Sequence, residues 1–257
     1  MTFWKSIAAL SLCVAAASQA NAQEWYVGGT IALAQQNDSD NSGQTGAFTT
    51  GNLGDGSTLD VADGTAYGWS TEFDSGFAIA AEAGLKYANN FRSGVELVYT
   101  QSDVDTHSNV TLGGGSIDAL DAAALAGAPD PLGVSVGDLV SDGRGEISST
   151  ALFANVYYDF DTQSPFSPYL GAGIGFADVS VEYAPSGVGI IDDGETKFAY
   201  QIKAGASYAI NTAFEVYGEY AFRATDDIAV SNDLFPGTLD IENQSNNFAV
   251  GVRYTFG

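Results

Sequence analysis

The sequence predicts an all-β fold, an eight-stranded antiparallel transmembrane β-barrel with long outer loops and short periplasmic turns. Eight segments alternate apolar and polar residues with a period of two, which is typical of strands whose two faces meet different surroundings. The links between these segments are alternately short and long, as they are at the two ends of a transmembrane barrel. The first residues have the layout of an export signal.

Residues 1–22 are predicted to be a signal peptide, which leaves residues 23–257 as one outer-membrane β-barrel domain. Lys5 precedes an apolar run from Ile7 to Ala17, and Ala20-Asn21-Ala22 provides the small residues of a cleavage site. The run is shorter than the roughly 20 residues of a membrane-spanning helix. Cys13 is removed with the signal, so we expect no disulfide in the exported chain.

The composition is acidic but not that of a disordered chain. Asp and Glu outnumber Lys and Arg by 32 to 8, which gives a net charge of −24. This charge repels nucleic acid and favours cations or basic partners. Hydrophobic residues make up 45% of the chain and aromatic residues 12%, which indicates a folded β-rich protein.

Each of the eight segments has one apolar face. In chain order these faces run from Trp25 to Leu33, Phe73 to Tyr87, Val95 to Tyr99, Leu152 to Phe160, Leu170 to Phe176, Phe198 to Tyr208, Phe214 to Phe222, and Phe248 to Phe256. With their flanking residues, the segments suit tilted membrane strands of roughly 9–11 residues.

The links supply an independent signal. The second, fourth and sixth segments are followed by short links, Ala88–Asn90, Asp161–Pro168 and Asn211–Thr212. The odd-numbered segments are followed by long ones, Gln35–Glu72, Asp103–Glu146, Tyr183–Glu195 and Thr225–Ser245. The second long link is expected to hold a helical turn around Ile117–Leu125 with Ser116 as its N-cap.

The outward face of the strands carries no charged residue, and aromatic residues lie near both of its rims. A bilayer requires this arrangement, because every backbone polar group must pair within a closed sheet whose outer face is apolar. The alternative is a soluble lipocalin-like barrel, which would bury the apolar face and expose the charged one.

The inward face carries ten charged residues that are predicted to form an ion-pair network in the lumen. They are Glu82, Lys86, Arg92, Glu96, Asp159, Lys203, Glu215, Glu219, Arg223 and Arg253. An eight-stranded barrel is only wide enough for its side chains to fill it, and a buried charge needs a partner. Strand adjacency predicts the pairs Lys203–Glu219 and Glu215–Arg253. Loosely solvated charges in a wet lumen are the alternative.

With these residues in place, the chain resembles the opacity-type and OmpA-like family of small outer-membrane barrels. The matching stretches include Trp25-Tyr26-Val27-Gly28-Gly29, Pro168-Tyr169-Leu170-Gly171-Ala172-Gly173-Ile174-Gly175 and Gly251-Val252-Arg253-Tyr254-Thr255-Phe256. The resemblance implies that Gly251, Tyr254 and Phe256 belong to the signal that the barrel-assembly machinery reads. In this chain Gly257 follows the aromatic residue.

Motifs for enzymatic chemistry are weak. The glycines at 171, 173 and 175 continue the alternation of a strand and do not form a nucleotide-binding turn. His107 is the only histidine, lies in a predicted outer loop and is not accompanied by a Gly-x-Ser-x-Gly elbow. We therefore expect no enzyme, no cofactor and no zinc site.

Closely spaced acids in the links are weak candidates for divalent-cation binding: Asp38, Asp40, Asp103, Asp105, Asp192 and Asp193. None of these stretches has the full spacing of a calcium loop, so solvated acidic loops are the alternative.

The sequence thus predicts a non-enzymatic surface protein of the Gram-negative outer membrane, involved in envelope structure or in surface interaction through acidic loops. The alternative is a narrow passive pore. The expected partners are outer-membrane lipid and lipopolysaccharide, the assembly machinery and an unidentified loop ligand; nucleic acid is not expected, and the protein is expected to be a monomer.

Overall fold

The computed structural model describes residues 23–256, so the predicted signal peptide lies outside the described residues. The described chain is mostly β-sheet. Its strands are β1 (Gln23–Gln36), β2 (Ser39–Thr45), β3 (Phe48–Thr49), β4 (Asp60–Val61), β5 (Ala66–Phe73), β6 (Ser75–Tyr87), β7 (Phe91–Leu112), β8 (Gly115–Ser116), β9 (Gly145–Asp159), β10 (Phe166–Tyr183), β11 (Ile191–Ala209), β12 (Phe214–Thr225), β13 (Ile228–Ser231), β14 (Gly237–Ile241) and β15 (Gln244–Thr255).

Eight long strands close into a ring, as the alternation predicts. Their order around the ring is β6, β1, β15, β12, β11, β10, β9, β7 and back to β6, with every pair antiparallel. The pairing of β7 with β9, from Phe91 opposite Tyr158 to Asp103 opposite Glu146, closes the ring. The closed ladder leaves no free strand edge in the wall, which is the condition for crossing a bilayer.

The short links and both described ends of the chain lie at the same end of the barrel. Gln23 is paired with Tyr87, next to the turn that leads into β7, and the Phe256 amide donates to the Trp25 carbonyl. Asn90 in that turn has a φ of 67°. Asparagine tolerates this left-handed conformation better than most residues, which suits the tight reversal of the chain.

The outer wall is apolar between two rims. Trp25, Ile31, Ile79, Val156 and Ile202 are among the exposed large hydrophobic side chains of this wall, each more than half exposed. One rung above the wall, the outward positions become polar, as at Gln101, Ser148 and Asp178. The outward side chains of the wall therefore face hydrocarbon. The membrane-facing part of the wall ends where the outward residues change from apolar to polar.

Beyond this wall the barrel continues, and much of each long link is itself β-structure. The part of the chain beyond the wall, residues 37–74, 103–146, 178–197 and 226–242, is called the head. In the head β5 pairs with β7 and β2, and β2 and β13 both pair with β14. The order of the strands is that of the wall, so the head extends the same sheet outward.

The head has an apolar core. In the upper part of β10, Val179, Val181 and Tyr183 are buried, whereas Asp178 and Glu182, which alternate with them, face outward. Other core residues of the head include Val104, Ile191, Ile228, Leu239 and Ile241. The head therefore has apolar residues inside and polar residues outside, as in a water-soluble β-protein. The membrane barrel below it has the opposite arrangement.

Two short helices cap the head, α1 (Ala123–Ala126) and α2 (Val136–Val140). The expected helical turn is present only over residues 123–126. Ser116 is not its N-cap, because it belongs to β8 and its hydroxyl contacts Asp118. Ser135 caps α2 by accepting the amide of Asp138. Within residues 23–256 no helix is long and apolar enough to cross a membrane.

Candidate functional site: a filled lumen and an acidic head

The ten charged residues predicted from inward parity, here called the lumen network, meet inside the wall. At their centre is Lys203, whose Nζ lies 2.7 Å from Glu96 Oε1 and 3.1 Å from Glu219 Oε1. All three side chains are at most 4% exposed. The expected Lys203–Glu219 pair is thus present, and Glu96 is a second carboxylate on the same ammonium.

A second group lies nearer the short turns. The Arg253 Nη1 is 2.8 Å from Glu215 Oε2, which is the other expected pair, and Lys86 Nζ donates to the same carboxylate. Arg92 Nε is 2.7 Å from Asp159 Oδ2. These pairs neutralise charges that the closed wall removes from water.

Tyrosine rings fill the space between the ion pairs. The Arg92 guanidinium lies 4.2 Å from the Tyr157 ring centre and 5.0 Å from that of Tyr169, and the Arg253 guanidinium lies 4.9 Å from that of Tyr217. Such cation–π contacts stabilise partly dehydrated cations. The sequence indicated the inward parity of these tyrosines but not their role.

Glu82 differs from the expectation that inward acids pair with bases. Its carboxylate accepts hydrogen bonds from the hydroxyls of Tyr26 and Tyr157 and from Asn155 Nδ2 at 2.9 Å, and no cation pairs with it among the described residues. Arg223 likewise donates to Gln201 Oε1 at 3.0 Å and has no carboxylate partner within residues 23–256. Eight of the ten network residues form ion pairs, and the other two, Glu82 and Arg223, form hydrogen bonds with neutral groups.

The network as a whole is neutral, with five acids and five bases. Together with Tyr26 on β1 and Tyr169 on β10, its side chains come from every strand of the wall. The lumen is therefore filled by a connected set of charged and aromatic side chains.

The glycines of the motif at 171–175 have a steric function in this lumen. A Cβ on Gly171 would lie 2.4 Å from Tyr157 Cδ1, and one on Gly173 would lie 2.0 Å from Asn155 Oδ1. A Cβ on Gly251 would lie 2.3 Å from Tyr217 Cζ. Glycine on one strand thus makes room for a ring or amide from the neighbouring strand.

The residues of the expected assembly signal lie at the end of β15. The Tyr254 ring packs against Phe214 and Phe256, each at a centroid distance of 4.9 Å, on the outer rim beside the short turns. Gly251 lies two rungs higher, on the lumen side beneath Tyr217. The two aromatic residues therefore face lipid, and the glycine serves packing in the lumen.

His107, placed by the sequence in an outer loop, lies instead on the upper part of β7 inside the head. It is 2% exposed, its Nδ1 is 2.8 Å from Thr71 Oγ1, and its ring packs 4.7 Å from that of Tyr183. Burial lowers the His107 pKa to about 4, and nearby Asp142 opposes that shift only in part. Neutral His107 is thus a core residue of the head.

The six acids proposed as weak cation ligands do not share one site. Asp40 accepts the Ser70 hydroxyl at 2.8 Å, and Asp193 accepts the backbone amides of Gly194 and Ser231. Asp192 points to the opposite face of β11 from Asp193, while Asp38, Asp103 and Asp105 are exposed. In residues 23–256 no three His, Cys, Asp or Glu side chains converge as metal ligands.

The structure does align four acids that are far apart in sequence. Asp103, Glu146, Glu182 and Asp192 lie directly opposite one another on β7, β9, β10 and β11, on the outward face just beyond the apolar wall. We call these residues the carboxylate row. Like charges directly opposite in a sheet repel one another, so the row favours cations at this level of the membrane surface.

Comparisons with known proteins agree with this architecture. Over 153 residues the chain is 26% identical to outer membrane protein PagN of Salmonella typhimurium (strain LT2), a match that covers 55% of this chain and 61% of PagN. The chain thus matches about three fifths of that relative's length.

Two solved structures match this chain at low sequence identity. OprG from Pseudomonas aeruginosa has a TM-score of 0.50 at 15% identity, with 91% of this chain and 96% of OprG covered. Neisserial surface protein A has a TM-score of 0.47 at 18% identity, with 92% and 100% covered.

The family model for the outer membrane protein beta-barrel domain matches residues 6–256, almost the whole chain. Together with the closed ring of strands and the apolar outer wall, this match places the protein in the outer membrane of Gram-negative bacteria. The chain belongs to the outer membrane protein beta-barrel domain family.

Proposed function

We propose that this barrel is a non-conducting, non-enzymatic surface protein whose acidic head contacts cationic partners outside the cell. The observation that carries the proposal is the segregation of charge. The head contains 25 of the 32 acidic residues and only two bases, Arg144 and Lys197, whereas the lumen network is neutral. Such a field attracts cations and basic partners and repels anionic ones.

The passive pore is the alternative, and the packing of the lumen opposes it. Lys203, Glu96 and Glu219 are almost fully buried at the centre of the barrel, and arginine–tyrosine contacts fill the part below them. An ion would have to displace paired groups whose separation is costly.

A Ser-His-acid hydrolase would need an accessible histidine as its base, and His107 does not provide one. Its ring lies in the apolar core of the head, its Nδ1 bonds to Thr71, and its low pKa reflects burial without an activating carboxylate in contact. The 26% identity to PagN, whose name describes an outer membrane protein, agrees with a surface barrel.

The carboxylate row offers a binding surface for the predicted envelope partners, outer-membrane lipid and lipopolysaccharide. The row lies just outside the hydrocarbon level, where the phosphates of lipopolysaccharide are held together by divalent cations. We propose that Mg²⁺ or Ca²⁺ ions gather between these carboxylates and lipid phosphates, as a collective and weak interaction. At the opposite rim, Tyr254 and Phe256 would be read by the barrel-assembly machinery.

Conductance separates the surface protein from the pore. Protein spanning residues 23–257, refolded and inserted into planar bilayers, should show no stable current steps. Steps that persist in the wild type, and that Lys203→Met or Glu219→Gln leave unchanged, would contradict the filled lumen.

Partner charge is tested by the binding of fluorescent decalysine and decaglutamate peptides to the refolded protein. Decalysine alone should bind, and its affinity should fall steeply with salt. The variant Asp103→Asn/Glu146→Gln/Glu182→Gln/Asp192→Asn removes the carboxylate row, and Asp55→Asn/Asp60→Asn/Asp63→Asn/Asp130→Asn removes the same charge elsewhere. A greater loss of decalysine affinity in the first variant would show that the carboxylate row binds the peptide specifically. Equal losses in the two variants would indicate a diffuse field over the whole head. Equal binding of decalysine and decaglutamate would refute the proposal.

A further inference from the structure

Arg223 is the one cation of the lumen network without a carboxylate partner among the described residues. It lies on β12, where its Nε donates to Gln201 Oε1 at 3.0 Å. The Gln201 amide in turn donates to Glu96 Oε2 at 2.7 Å, so the glutamine stands between the guanidinium and that carboxylate. Glu96 is already occupied by Lys203.

Next to Arg223 the lumen contains a cavity of about 30 Å³, between the network and the apolar core of the head. Its polar lining consists of hydroxyl, amide and guanidinium groups, from Gln36, Thr100, Ser149, Arg223, Thr225, Asn243 and Ser245. No carboxylate lines it, although the chain has 32 acidic residues. The remaining lining is apolar.

Two polar atoms at this cavity are buried and lack a hydrogen-bond partner, Arg223 Nη1 and Thr225 Oγ1. A buried donor without an acceptor is costly, and the cost is larger for a charged donor. Both residues line the same cavity, and both atoms can act as donors. A negatively charged acceptor would also give the guanidinium a direct ion-pair partner, which no carboxylate provides among the described residues.

We propose that this cavity binds a small monovalent anion, with Arg223 and Thr225 as its donors. The volume limits the ligand, because one water molecule needs at least about 10–15 Å³ of such space, so the cavity has room for about two. A halide such as chloride suits that space better than a larger anion such as phosphate. The acidic residues of the head do not line the cavity, because the apolar core of the head lies between them and the cavity.

The test compares thermal unfolding of the refolded, detergent-solubilised protein in sodium chloride and in sodium gluconate at equal ionic strength. Gluconate is too large for the cavity, so chloride alone should raise the Tm of the wild type, by about 3 °C when it reaches ten times its Kd. The variant Arg223→Gln should lose the difference between the two salts. The control Arg144→Gln removes the same charge from an exposed arginine and should keep it.

A second variant and a direct measurement cover the case in which Arg223→Gln does not fold. Thr225→Val keeps the guanidinium and should weaken the chloride effect several-fold. Crystals of the wild type grown in sodium bromide should show anomalous scattering beside Arg223 Nη1. Equal unfolding in both salts, or water in place of bromide in the cavity, would overturn the proposal.

Discussion

Glu96 and Glu219 share Lys203 as their ion-pair partner in a part of the lumen that water does not reach. Gln201 and Asn155 also donate to Glu96, and the Tyr169 hydroxyl donates to Glu219 at 3.0 Å. These neutral donors orient the carboxylates but do not balance their charge. The single ammonium is therefore the residue on which this layer depends.

Replacing Lys203 by methionine should lower the free energy of unfolding by about 3–5 kcal/mol, because two buried carboxylates would lose their cation. The control Lys197→Met breaks a partly exposed pair with Glu195 and should cost less than about 1 kcal/mol. Urea unfolding of protein refolded into lipid vesicles measures both. Equal losses in the two variants would contradict the buried pairing.

Gly251 provides a steric test of the same interior. Gly251→Ala would place a Cβ against the Tyr217 ring and should destabilise the barrel by about 1–3 kcal/mol. Gly29→Ala, which meets no atom within 4 Å, should be neutral or slightly stabilising. Unfolding in vesicles again gives the measurement, and a neutral Gly251→Ala would show that Tyr217 moves freely.

At the scale of the element, β10 shows how one strand serves two solvents. Its outward residues are apolar up to Phe176 and polar from Asp178 onward. Its inward residues include the glycines of the lumen up to Gly175, and from Val179 onward they are the apolar core residues of the head. The backbone ladder continues through this change without interruption. The boundary of the bilayer is therefore set by side chains and not by the end of the strand.

The upper part of β7 gives a pH prediction through His107. Its pKa of about 4 lies below the ordinary value of 6.5, so the neutral form stabilises the head fully above pH 6.5 and this contribution is lost as the pH falls toward 4. The loss amounts to up to about 3 kcal/mol. Fluorescence of Trp69, whose ring centre is 6.3 Å from that of His107, reports loosening of the head.

The matched variant for this prediction is His107→Asn, because protonation of the many head carboxylates also changes stability below pH 5. The wild type should lose more stability than the variant between pH 7 and pH 4. Parallel curves for the two proteins would show that His107 is not responsible.

For the whole molecule, topology and charge together predict a simple protease map. The lumen encloses Lys86, Arg92, Lys203, Arg223 and Arg253, so trypsin added to intact cells meets chiefly Arg144, which is 69% exposed on the head. We expect at most one cut there. The two fragments should remain associated, because β7 and β9 on either side of the cut pair over thirteen residues.

Arg144→Gln should make the protein resistant to trypsin on intact cells, and mass spectrometry of the fragments identifies the site. Cleavage at Lys86 or Arg92 in intact cells would place the short turns outside and reverse the orientation of the barrel.

The sequence alone determined the wall of this protein: eight strands, their order of long and short links, the outward face of each strand and the pairs Lys203–Glu219 and Glu215–Arg253. Lipid requires an apolar residue at every outward position of the wall. Because outward positions recur at every second residue, this pattern is visible within each short stretch of sequence. Only the tertiary structure decided which neutral groups contact Glu82 and Arg223, that the carboxylate row forms, and that the long links continue as β-sheet. These features depend on the register between strands that are distant in sequence. In the head, the outward residues are polar and the inward residues apolar, the reverse of the wall, because water replaces hydrocarbon outside.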